Sequence, residues 1–66
     1  MKELINKKCR VFVKNFSEKP IVYRGFVEAV DEIGTNVILT ILDMNKSRIR
    51  INVSDIVQII QDEGDY

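Results

Sequence analysis

Histidine and tryptophan are absent from this 66-residue chain, and cysteine and proline occur once each. Without histidine the chain lacks the commonest general base and the commonest nitrogen ligand for zinc. No catalytic residue, metal site or cofactor is therefore expected, and the chain is not expected to be an enzyme. A single cysteine excludes an internal disulfide. Cys9 alternates with Val11 and Val13, which reads as a small buried hydrophobe, with a reactive thiol as the alternative. No apolar run approaches the roughly 20 residues of a membrane-spanning helix, and the opening Met-Lys-Glu-Leu-Ile-Asn-Lys-Lys lacks a signal peptide's apolar middle. The expectation is a cytoplasmic protein with no membrane partner. Excess charge is missing too. Ten basic and ten acidic residues cancel, so any contact with a polyanion must be local rather than a property of the whole chain.

What is present is a composition of 45% hydrophobic and 30% charged residues, which suits one globular domain over residues 1–66 with room for a single core. A folded chain of this length buries only about 60% of the surface its unfolded form exposes, so association with further copies would add needed stability. Charge is also unevenly placed. Lys2, Lys7, Lys8, Arg10 and Lys14 crowd the start, whereas Asp62, Glu63 and Asp65 close the chain. Two solvated ends, or head-to-tail attraction between subunits, would each use this asymmetry.

Residues 1–8 hold helix formers with Leu4 and Ile5 as the only adjacent apolar pair, enough for one or two helical turns docked on another surface. Cys9 to Lys14 alternates as a first strand, and Asn15 to Pro20 forms a polar turn. Ile21 to Asp31 predicts a long strand. Gly25 gives it room to bend, and the three-residue spacing of Val27 and Val30 predicts a bulge. Asp31 to Asn36 predicts an exit turn around Gly34. Asn36 to Leu42 is apolar on both faces except at Thr40, which predicts two-sided burial. After a turn at Asp43 to Ser47, Arg48 to Val53 alternates cleanly, with Ile49, Ile51 and Val53 inward. A corner or single 3₁₀ turn at Ser54 and Asp55 leads to a fifth apolar segment, Ile56 to Ile60, and residues 61–66 read as a frayed acidic tail. An all-β fold follows: a small, strongly bent, five-stranded antiparallel sheet closed into an SH3-like barrel, because a flat sheet would leave an apolar face and two edges in water.

These residues resemble the Sm-like superfamily, which includes the archaeal and eukaryotic Sm and LSm proteins and the bacterial Hfq type. The resemblance covers most of the chain. It rests on a short N-terminal helix, a strand over Lys8 to Asn15, Gly25 with Val27 two residues on, Val30 before Asp31, and the loop asparagine Asn36 followed by apolar residues to Leu39. Arg48 to Ile59 echoes the family's second motif, two strands around a corner. The resemblance implies a homo-oligomeric ring that binds single-stranded RNA at its pore or face. It also implies candidate RNA-binding residues: Asp31, Thr35, Asn36, Arg50 and Asn52. Two departures stand out. The residue before the loop asparagine commonly stacks on a base, and here it is Thr35, with Gly34 inserted. The family's Arg-Gly, or the basic pair of the Hfq type, corresponds to Asn52 and Val53; a register shifted by two brings Arg50 to the cation's place.

Each candidate has a plainer alternative. Asn36 and Asp31 could bond a base edge or simply their own turn. Arg48 and Arg50, with Lys46 nearby, could contact phosphate, or form a solvated face or an intersubunit ion pair. Phe12 beside Arg10 and Lys14, and Phe26 beside Arg24, could stack on bases or pack in a core or interface, as could Tyr23. A competing function of another class is an oligomeric protein-interaction or scaffold barrel without nucleic-acid binding, which the neutral net charge and the absent Arg-Gly favour.

Overall fold

The alternating segments form strands in the computed structural model, which describes residues 1–62. These are β1 (Lys8–Val13), β2 (Ile21–Ile33), β3 (Asn36–Asp43), β4 (Arg48–Asn52) and β5 (Ile56–Gln61). They make one antiparallel sheet in the order β4-β3-β2-β1-β5. The all-β expectation holds, and each expected strand is present within a residue or two of its expected bounds.

Strand β2 bends because it serves two partners in succession. Its first half, Ile21 to Phe26, pairs with β1, and Gly25 to Ile33 pairs with β3. The register slips between Val27 and Ala29, so Glu28 is the extra residue of a bulge that raises local twist and curvature. Gly25 permits the close crossing at this bend. A Cβ there would overlap the Leu42 carbonyl oxygen and lie 2.9 Å from the Asp43 Cα.

The inner face collects Cys9 and Val11 from β1, Val27 and Val30 from β2, Leu39 and Ile41 from β3, and Ile51 from β4. Ile49, Val53, Ile56 and Ile59 pack against this cluster. Leu39 and Ile41 are fully buried, and each contributes about 1.5–3 kcal/mol by leaving water. On the other face Thr40 is only 6% exposed. It lies between Ala29 and Arg50 in the ladder, so the centre of β3 is covered twice, as its apolar sequence predicts.

The barrel expected from the sequence is not closed by hydrogen bonds: β4 and β5 are the two edges of the sheet. The chain nevertheless crosses from one edge to the other through a 3₁₀ turn of three residues, Val53–Asp55. Four Cα steps from Asn52 to Ile56 reach at most about 15 Å, whereas the outer strands of a flat five-stranded sheet lie about 19 Å apart. The sheet is therefore curled. Closure stops short because backbone on both sides of the corner is extended, at Asn52 and Ile56, so the chain turns without reversing. It then joins β1 instead of returning along β4. The Lys14 amide, just beyond β1, donates to the Asp55 carbonyl at 2.9 Å and fixes this corner.

Two further expectations, the exit turn and the tail, are corrected, whereas the one or two N-terminal helical turns expected are present at the lower bound as one 3₁₀ turn, Lys2–Leu4, with Leu4 and Ile5 packed against the core. The segment after it docks on the bulge: the Asn6 amide donates to the Val27 carbonyl at 2.7 Å, and the Val27 amide to the Lys7 carbonyl at 3.0 Å. The exit turn expected over Asp31 to Asn36 is just Gly34 and Thr35, since Ile33 already pairs with Asn36. Gly34, with φ of 62°, supplies the left-handed residue that so tight a hairpin needs. Of the tail expected over 61–66, Gln61 ends β5 and the Asp62 amide donates to the Lys8 carbonyl at 2.9 Å; residues 63–66 lie outside the described residues. No helix among the described residues is long and apolar enough to cross a membrane.

Candidate nucleic-acid interface

The β3–β4 ladder sets Asn52 opposite Ile38 and Arg50 opposite Thr40, and β2 sets Asp31 on the other side of Ile38. Asn36, two residues before Ile38, shares their face. The fold thus brings Asn36 and Asn52 together from positions 16 apart. Asn52 Nδ2 donates to Asn36 Oδ1 at 3.3 Å, while Asn52 Oδ1 accepts from the Ser54 amide at 3.1 Å and the Ser54 hydroxyl at 2.9 Å. Asn52 therefore caps the corner turn and braces the start of β3. The arrangement leaves the Asn36 NH2 group free of other described residues, facing the solvent.

Arg50 lies two residues away on this face, exposed, and takes no part in an ion pair among the described residues. Arg48 differs: its Nε meets Glu28 Oε1 on the bulge at 2.7 Å. The intramolecular pair occupies Arg48 and leaves Arg50 as the cation beside the two amides. Asp31 is exposed on β2 with no hydrogen bond to Asn36, and Thr35 is exposed in the hairpin turn. The site residues are therefore a close group of Asn36, Asn52 and Arg50, with Asp31 and Thr35 at its margin. A base edge can be met there by amide and guanidinium donors, but no ring stands at Thr35 to stack on it.

Among the stacking candidates, Phe12, Tyr23 and Phe26 are all partly buried within the sheet. Cys9 is fully buried. Burial, with the Asp62 charge as a smaller cause, pushes its thiol pKa up from the ordinary 9.0, the opposite of what a reactive thiolate requires. Glu3 is shifted down by its hydrogen bond to the chain's α-amino group.

Two open concavities flank the corner turn. One, of about 480 Å³, is lined by Met1, Lys2, Glu3, Val30, Glu32, Val37 and Val53. The other, of about 410 Å³, is lined by Lys14, Asn15, Phe16 and Asp55. Sequence reasoning treated Phe16 only as part of a polar turn and missed Ser54 as a partner of Asn52. An asparagine two residues before a serine, at the entry to a turn, was the available signal for the latter. No family model, curated protein or solved structure matches the chain.

Proposed function

We propose that the chain is an Sm-like, SH3-like barrel subunit that completes its sheet with neighbouring copies, forming a homo-oligomeric ring that binds single-stranded RNA. The observation that carries the assembly is the pair of unpaired edges, β4 and β5, joined by a three-residue corner in a curled sheet. Both edges offer main-chain donors and acceptors, and a head-to-tail contact between unlike edges closes into a ring when the rotation per subunit allows. The RNA half draws on the resemblance in sequence and on the group of exposed Asn36 and Arg50 with half-buried Asn52 beside the corner.

Light scattering tests the assembly, with a stable multiple of the subunit mass at micromolar concentration as the expected result; a monomer there would defeat it. Titration with short oligo-U and oligo-A tests the ligand, and binding should weaken as salt rises because phosphate contacts release counterions. The scaffold function retains support from two observations, the zero net charge and the lack of a ring at Thr35. An assembled protein with no salt-sensitive RNA binding would favour it.

A further inference from the structure

We infer that Phe16, at the tip of the β1–β2 loop, stacks on a base of single-stranded RNA and supplies the ring that Thr35 does not. This rests on the RNA-binding function proposed above. Phe16 is fully exposed, at 110% of its reference area. The loop holding it there is ordered by its own side chains. Asn15 Oδ1 accepts from the Phe16 amide at 2.6 Å, Asn15 Nδ2 donates to Ser17 Oγ at 3.2 Å, and Ser17 Oγ donates to the Lys19 carbonyl at 3.1 Å. Those bonds fix the backbone that presents the ring, so covering it orders the side chain and not the loop.

The surroundings distinguish between occupants. A docking protein would bury Phe16 within a wider apolar patch, but the other residues lining its 410 Å³ concavity are Lys14, Asn15 and Asp55. One ring face with polar groups around it fits a flat base, whose face is apolar and whose edge donates and accepts hydrogen bonds. Lys14 Nζ lies 3.9 Å from Asp55 Oδ1, and Lys19 and Glu18 follow in the loop, so local charge is balanced and stacking dominates over phosphate attraction. The loop that carries Phe16 is tied to the corner turn next to the amide group. Asp55 ends the corner turn that Asn52 caps, and its carbonyl accepts from the Lys14 amide.

The test uses the full chain, short oligo-A and oligo-U, and four variants: Phe16→Ala, Phe16→Leu, Phe16→Trp and Asn52→Ala. Phe16→Ala should weaken binding between about fivefold and about 150-fold, the range for loss of one base–aromatic stack. Phe16→Leu should weaken it comparably, and Phe16→Trp should bind with its fluorescence quenched. All three variants should melt like the parent, since Phe16 touches no core. If the parent binds RNA and Asn52→Ala weakens it while Phe16→Ala does not, the stacking role is overturned and the proposed function survives. Equal binding by Phe16→Leu and the parent would also overturn stacking, because it would make the contact merely apolar. If the parent binds no RNA, the proposed function and this inference fail together.

Discussion

The two edges of the sheet differ in chemistry. Strand β4 reads Arg48-Ile49-Arg50-Ile51-Asn52, with both arginines exposed, whereas β5 reads Ile56-Val57-Gln58-Ile59-Ile60-Gln61 with no charge at all. Charges on an edge discourage pairing with a like edge. Two β4 edges side by side would oppose arginines to arginines. Two β5 edges, or a β4 and a β5, meet no such penalty. The difference teaches that the charges on β4 disfavour pairing of two β4 edges and leave β4 with β5, the contact the proposed ring would use, or β5 with β5.

The largest expected effect comes from removing the bend that brings these edges near each other. Gly25→Val would drive a side chain into backbone at Leu42 and Asp43, at a cost of about 3 kcal/mol or more. Thermal unfolding followed by circular dichroism should show a fold lost or melting far below the parent. Next in size is Val57→Lys. Val57 is 62% exposed on β5, so the fold should be kept while the edge acquires a charge that repels Arg48 and Arg50 of a neighbour. Light scattering should report single subunits. Val57→Glu separates the alternatives: it should retain more assembly than Val57→Lys if β4 meets β5, and both should dissociate equally if β5 meets β5.

Smaller effects sharpen the picture of β4. Asn52→Ala removes the cap on the corner and the brace to Asn36, and should lower stability by about 1 kcal/mol in denaturant unfolding. Arg48→Ala breaks the ion pair with Glu28, which is solvent-exposed, and should cost under about 1 kcal/mol. An equal loss of RNA affinity in Arg48→Ala and Arg50→Ala would contradict the distinction between the engaged and the unengaged arginine.

The strands were legible because their apolar residues alternate. Cys9 with Val11, and Ile49 with Ile51, point inward as their spacing requires, and the failed alternation between Val27 and Val30 marked the bulge. The end of β2 was misread for a physical reason. Asp31 and Glu32 are turn-forming or charged residues, yet at an exposed position they cost a strand nothing, so the ladder continues through Ile33 to a two-residue hairpin. The candidate site was legible as a set of residue types but not as a group. Which amide meets which depends on the β3–β4 register, and the occupation of Arg48 depends on the bulge presenting Glu28. The two edge strands on either side of the corner were legible as well; that the sheet stays open between them was not, because composition does not reveal where a corner sends the chain.

That corner also orders events in time. The β2–β3 and β3–β4 hairpins join neighbours in sequence, but β1 finds β5 only across some fifty residues, with Cys9 opposite Gln61. Closing so long a span is entropically slow relative to local hairpins. The uncharged strand β5 is consequently the last of the described strands to be sheltered as the sheet forms, and clumping of partly folded chains should begin there.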